Sequence, residues 1–137
     1  MKAHTLTTTF ESLGVPASLV KVLAAEGKTE AFEIQAATLA DTLAGGDVLG
    51  RGKTGSGKTL AFSIPVVARL AQAKAEGRIR RTSGAPTGLI LAPTRELATQ
   101  IAAAISPLAL TENLVVTTVF GGVKQGRQVE AFRRGVD

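Results

Sequence analysis

At 137 residues with no cysteine, the chain is long enough for one domain with a core and has neither a disulfide framework nor a thiolate metal site. Hydrophobic residues make up 45% and charged residues 20%, which excludes a disordered class. The net charge of +5 permits a polyanionic partner, while the lack of Tyr and Trp, with five scattered Phe, excludes an aromatic platform of the single-strand-binding kind.

The N-terminal stretch from Met1 to Phe10 is polar, contains the lone His4 as a solvated tail residue, and has no apolar core of a signal peptide. No run approaches the roughly 18 apolar residues of a membrane span, so a cytoplasmic protein is expected. A first short helix is predicted from Ser18 to Glu26, with Ser18 as N-cap, Gly27 as stop, and Leu19, Val22 and Leu23 inward. A second is predicted over 32–44, with Ile34, Ala37 and Leu43 inward, and Gly45-Gly46 ends it. Asp47-Val48-Leu49-Gly50 then reads as a short buried strand.

Gly52-Lys53-Thr54-Gly55-Ser56-Gly57-Lys58-Thr59 follows, and it is the most informative segment. It fits G-x-x-x-x-G-K-[ST], and strand, glycine loop and helix is the context in which that pattern cradles phosphates. Thr54, Gly55, Ser56 and Gly57 point backbone N–H groups at phosphate oxygens, and the helix starting near Gly57 adds the positive end of its dipole. Lys58 is expected to reach the β- and γ-phosphates and the Thr59 hydroxyl to ligate Mg²⁺. A bound nucleoside triphosphate with Mg²⁺ is therefore expected. The loop alone leaves the nucleotide and the use of its energy open.

The helix after the loop should run to about Glu76, kinked or broken at Pro65. Residues 77–88, with Arg78, Arg80 and Arg81, read as a basic connector. Gly88-Leu89-Ile90-Leu91-Ala92 is an apolar run of the doubly covered parallel kind, and 94–108 a helix. Residues 114–120, rich in β-branched side chains, read as a third strand broken by Gly121-Gly122, and a last helix is predicted over 124–133. This order calls for an α/β fold with a parallel sheet, flanking helices and right-handed crossovers.

Taken in order, these residues resemble the DEAD-box ATP-dependent RNA helicases, and the resemblance covers nearly the whole chain. Gln35, in Glu33-Ile34-Gln35, is similar to the glutamine of the family's Q motif (region 10–35 here), which reads the adenine edge. Phe10, 17 residues before Gly27, resembles the isolated upstream aromatic that packs on adenine. Pro93-Thr94-Arg95-Glu96-Leu97-Ala98 resembles motif Ia, and Gly121-Gly122 the GG motif, both of which hold the RNA backbone in that family. Read without the resemblance, Thr94 is a helix cap, Gly121-Gly122 a turn, Phe10 a core anchor and Gln35 a surface residue.

The resemblance implies the first part of a RecA-like ATP-binding domain, residues 1–137, with an ATP site at Phe10, Gln35, Thr54, Gly55, Ser56, Gly57, Lys58 and Thr59. It implies RNA contacts at Pro93, Thr94, Arg95, Gly121 and Gly122 with little sequence specificity. In the complete protein, ATP hydrolysis would be coupled to unwinding of an RNA duplex. The Q region differs from the family pattern: Lys28 follows Gly27, and Ala31 and Glu33 replace two prolines, so a less rigid approach to Gln35 and weaker adenine selectivity are expected.

The family's acidic box, its Ser-Ala-Thr motif and its second RecA-like domain with arginine fingers have no counterpart in this sequence, so the sheet is expected to be incomplete at its C-terminal end. Negligible hydrolysis and no unwinding by these residues alone are expected, since an arginine finger by itself is worth about 10³–10⁵ in rate. Marginal stability or self-association through unpaired strand edges is expected as well. The alternatives are a non-catalytic nucleotide- or RNA-binding protein with the same residues, and an unrelated phosphate-loop enzyme such as a small-molecule kinase, against which residues 93–98 argue.

Overall fold

The computed structural model describes residues 7–122 and 124–137, so His4 and most of the N-terminal tail lie outside the described residues. Among the described residues five helices form: α1 (Ala17–Ala25), α2 (Glu33–Leu43), α3 (Lys58–Ala75), α4 (Arg95–Thr111) and α5 (Gln125–Arg133).

Helix α1 starts on Pro16, not Ser18: the N–H groups of Leu19 and Val20 both reach the Pro16 carbonyl at 3.0 Å. Ser18 lies inside the helix and its hydroxyl donates to Glu112 beyond the end of α4. Gly27 ends α1 as expected. At φ +76° it sends its N–H to Ala24, and Lys28 N–H returns to Leu23, so two carbonyls of the last turn are satisfied. In α2 the buried face is Gln35, Thr38 and Leu39, whereas Ala37, expected inward, is exposed. The apolar pattern misled because the face that packs carries a glutamine and a threonine. Helix α3 runs unbroken through Pro65, which is buried; only one ladder donor is lost there, and Ile64 and Val67 beside it are packed on both sides of that turn.

The core forms around α3, which packs between α2 and α4, while α1 packs on α4. Phe10, Leu19, Leu23, Leu39, Ile64 and Leu108 are its largest fully buried side chains. Each is worth about 1.5–3 kcal/mol relative to exposure. An antiparallel bridge, Thr9 to Glu30, lays the N-terminal segment beside residues 29–31 and drops Phe10 into this core.

The strand pairing of the expected parallel sheet is not formed among the described residues. Segments 47–50, 88–92 and 114–120 form no strand ladder among the described residues. A cleft of ≈ 880 Å³ separates 47–50 from 88–91, and a second of ≈ 520 Å³ separates 88–92 from 114–119. The doubly covered burial expected for 88–92 also fails: Leu89 is 80% and Leu91 84% exposed.

Asp137 shows why the second cleft is open. Its carbonyl accepts from Thr87 N–H and Gly88 N–H, both at 2.8 Å, and its own N–H donates to the Val115 carbonyl at 3.0 Å. Its carboxylate accepts from Val115 N–H at 2.8 Å and pairs with Arg81 at 2.8 Å. One residue thus bridges the two segments and holds them a chain's width apart.

Candidate functional site

The glycine loop sits where sequence placed it, directly before α3. Gly57 is the N-cap of α3 with φ +88°, and Gly55 has φ +81°. Both are left-handed conformations that side chains resist by about 1–2 kcal/mol. Lys58 Nζ donates to the Gly52 carbonyl at 2.6 Å, spanning the loop. An ammonium has three protons, so two remain for phosphate oxygens. Thr59 is half-buried and lines the larger cleft together with Lys58 and Asp47.

Ser56 Oγ is buried with no hydrogen-bond partner. It lies where a Cβ on Gly52 would stand, 2.6 Å away, so glycine at position 52 leaves that hydroxyl its room. An orphaned hydroxyl in a glycine loop at a helix N-terminus fits an oxygen-rich anion, while the Ser56 N–H itself donates to the Lys53 carbonyl at 3.1 Å.

Gln35 takes a different place from the one expected. It is 2% exposed, Oε1 accepts from Phe32 N–H at 2.8 Å, and Nε2 donates to the Gly57 carbonyl at 3.0 Å. The expected free amide edge for adenine is replaced by a brace between α2 and the loop. Phe10, expected to pack on adenine, is 1% exposed and belongs to the core, so its faces are covered by protein. Extended pairing of residues 8–10 with 29–31 turned that side chain inward.

A second group gathers at the start of α4. Thr94 caps the helix, its Oγ1 accepting from Leu97 N–H at 3.1 Å, and Pro93, Thr94 and Arg95 are all exposed. Arg95 Nη2 donates to the Gly121 carbonyl at 2.6 Å, and its guanidinium lies 5.6 Å from the Phe120 ring centroid. Segments 93–95 and 121–122, far apart in sequence, are therefore brought together. Gly122, at φ +77°, takes the left-handed turn.

Sequence reasoning missed Gln128. Its side chain brackets the Phe120 peptide: Oε1 accepts from Phe120 N–H at 2.9 Å and Nε2 donates to the Phe120 carbonyl at 3.3 Å. A side-chain amide thus does for this peptide what a neighbouring strand would do. Its place in α5, four residues after the helix N-cap Lys124, gave no signal because nothing in a periodicity names its partner. Phe32 was missed too. It is 58% exposed, and its ring abuts Gly57, where an added Cβ would come within 2.7 Å of Cδ2.

A family model described as DEAD/DEAH box helicase matches residues 32–137. Among curated relatives, the chain is 46% identical over 125 residues to DEAD-box ATP-dependent RNA helicase 3B, chloroplastic, of Zea mays, covering 91% of the chain and 16% of that protein. It is 39% identical over 137 residues to ATP-dependent RNA helicase RhlB of Sodalis glossinidius, covering 99% of the chain and 32% of that protein. Among solved structures it matches the RNA helicase Prp28 of Chaetomium thermophilum bound to ADP, with a TM-score of 0.78 at 33% identity over 93% of this chain and 30% of that one. The chain thus spans less than a third of these proteins' length, within an α/β helicase fold. With residues 32–137 matched, the chain belongs to the DEAD/DEAH box helicase family.

Proposed function

We propose that these residues form the ATP-binding part of an ATP-dependent RNA helicase, in which ATP hydrolysis drives opening of an RNA duplex. The carrying observation is the loop at 52–59: two left-handed glycines, a lysine spanning it, an orphaned buried hydroxyl and α3 starting at its end. Thr54, Gly55 and Gly57 bind the phosphates through their N–H groups and Ser56 through its unpartnered hydroxyl, its N–H being held by the Lys53 carbonyl. Lys58 balances charge on the β- and γ-phosphates. The residues fit Mg²⁺ at one point, the Thr59 hydroxyl, and the ion, when bound, screens charge between the phosphates. Gln35 acts here by holding the loop against α2.

Thr94, Arg95, Gly121 and Gly122 take the RNA backbone. The α4 N-terminus offers N–H groups and dipole, Arg95 a charge, and Gly122 a left-handed turn beside it. Such contacts read no base.

A second reading, binding without turnover by these residues alone, is favoured by one observation. The Asp137 carboxylate is committed to Arg81 and to the Val115 N–H. Calorimetry with ATP, ADP and Mg²⁺ tests the first reading, with Lys58→Ala as control. Binding lost in Lys58→Ala supports it, and wild-type affinity in that variant overturns it. A steady-state ATPase assay separates the two readings.

A further inference from the structure

We propose that α5 is a basic rail that carries the backbone of a single-stranded RNA onward from the turn at Gly121-Gly122. This rests on, and deepens, the reading of 93–95 and 121–122 as an RNA-backbone contact. Helix α5 differs from α1 to α4 in that none of its side chains is buried, so core packing does not explain its composition. From Lys124 to Arg134 the chain holds four cations, Lys124, Arg127, Arg133 and Arg134, against one acid, Glu130. More than half of the net +5 therefore lies in this stretch.

The cations are ordered. At about 100° per residue, Lys124, Arg127 and Arg134 fall within about 80° of one another around the helix axis, and Arg133 lies off that stripe. All four are exposed. Among the described residues Lys124 and Arg127 enter no ion pair, while Glu130 is shared between Arg134 at 3.7 Å and Arg133 at 3.9 Å. Exposed pairs of that length hold their charges weakly. The inward side of the helix is set by Gln128, which brackets Phe120, and by Phe132, which lines the cleft beside 114–119. The Phe132 carbonyl also accepts from Gly84 N–H at 2.9 Å, so the helix is tied to the body near both ends.

The stripe begins two residues after Gly122, the turn whose neighbour Gly121 is held by Arg95 at 2.6 Å. From Lys124 to Arg134 the helix rises about 15 Å, the length of about four stacked nucleotides. Its positions, Lys124, Arg127, Ala131 and Arg134, include no large apolar or aromatic side chain to anchor a protein partner. The exposed Val129 lies on the opposite face of the helix. A polyanionic strand needs no such anchor, because each phosphate that meets a cation releases counterions whatever base it carries.

The test is fluorescence anisotropy of the full 137-residue chain with labelled oligouridylates across a salt series. One probe is about 4 nucleotides, matched to the turn, and the other about 12, long enough to reach along α5. The variants are Lys124→Gln with Arg127→Gln, the charge-keeping Lys124→Arg with Arg127→Lys, and Arg133→Gln, each checked for an unchanged melting temperature. The neutral pair is expected to weaken the longer probe about tenfold at low salt and to reduce its slope of log K against log salt by about 1.4, two single-strand phosphates. The shorter probe should stay within twofold. The charge-keeping pair and Arg133→Gln should keep the wild-type slope. An unchanged slope in the neutral pair overturns the proposal and leaves the 93–95 and 121–122 contact standing. Equal losses for both probes overturn it too, since α5 would then act through the turn. An equal loss in Arg133→Gln shows that net charge and not the stripe matters, and wild type that binds labelled polyglutamate as tightly as RNA shows an acidic-protein face; either overturns it. Wild type that binds neither probe overturns the RNA reading itself, and the rail with it.

Discussion

The Nε2 of Gln35 donates to the carbonyl of Gly57 at 3.0 Å, joining the second helix to the phosphate loop across 22 residues of sequence. The other end of the same amide holds Phe32 N–H. Gln35 is 2% exposed, so Gln35→Ala leaves the part-buried Phe32 N–H without its partner, strips the Gly57 carbonyl of one of its two donors (Ala61 N–H at 3.2 Å remains) and opens a cavity. A loss of about 2–3 kcal/mol in unfolding free energy is expected, since unsatisfied buried groups cost about 1–3 kcal/mol each and relaxation recovers part. Urea unfolding checks it. Nucleotide affinity should fall as well, because the loop loses its fixed distance from α2; wild-type stability and affinity in this variant would remove the brace from the account.

Gly57 and Gly55 give a paired comparison. Both have positive φ, +88° and +81°. A Cβ at Gly57 would lie 2.5 Å from Gln35 Nε2 and 2.7 Å from Phe32 Cδ2, whereas nothing lies within 4 Å of one at Gly55. Gly55→Ala should cost only the backbone strain, about 1–2 kcal/mol. Gly57→Ala should cost more, because the displaced neighbours hold the brace. Thermal melts of both variants decide the order, and equal losses would show that strain alone matters at this loop.

Arg81 and Asp137 form a pair in which the carboxylate is 3% and the guanidinium 28% exposed. Arg81→Ala leaves a buried carboxylate with only the Val115 N–H, and a destabilisation of about 2–4 kcal/mol is expected, below the full figure for a buried pair because Arg81 is partly solvated. Asp137→Asn should cost less, since the guanidinium left without its counter-charge is partly solvated and keeps the Asn113 carbonyl. Denaturant titration reads both, and the reverse order would show that the Val115 contact, not the ion pair, sets the spacing of 88–92 and 114–120.

Gln128→Ala should free the Phe120 peptide, the one it brackets with two hydrogen bonds. The Phe120 amide is expected to exchange with solvent at least tenfold faster, with amides in α1 unchanged. If RNA binds at 121–122, its affinity should fall in parallel. Amide exchange by NMR measures the first and fluorescence anisotropy with a labelled oligouridylate the second. Unchanged exchange at Phe120 would mean that Arg95 alone holds the turn.

Leu49 is 101%, Leu89 80% and Leu91 84% exposed, on segments without strand partners among the described residues. Apolar segments with free backbone groups pair with other chains. Concentration-dependent self-association of the 137-residue polypeptide is therefore expected, and Leu89→Lys with Leu91→Lys should reduce it. Sedimentation equilibrium checks this, and a monomer at every concentration would show that the clefts are closed to other chains.

The sequence by itself determined whatever is local or carried by a spacing. Residues 52–59 name a phosphate loop because the glycines, Lys58 and Thr59 act within one turn of chain, and Thr94 and Gly27 mark helix ends through hydrogen bonds to residues three to five positions away. The proximity of 93–95 to 121–122, seen in the Arg95 contact with Gly121, is a property of the tertiary structure. Only the tertiary structure decided between core and surface for aromatic and amide side chains. Phe10 and Phe32 are the same residue type near the same loop, yet one is sealed and one is open, because pairing of 8–10 with 29–31 turns the first inward while capping α2 leaves the second outside. Gln35 reads as a surface residue from composition, and its burial depends on two backbone groups that lie on different elements. The segments read as strands have the right side chains, but a ladder also needs a neighbour at hydrogen-bonding distance, and that is a property of the tertiary arrangement that no side-chain pattern carries.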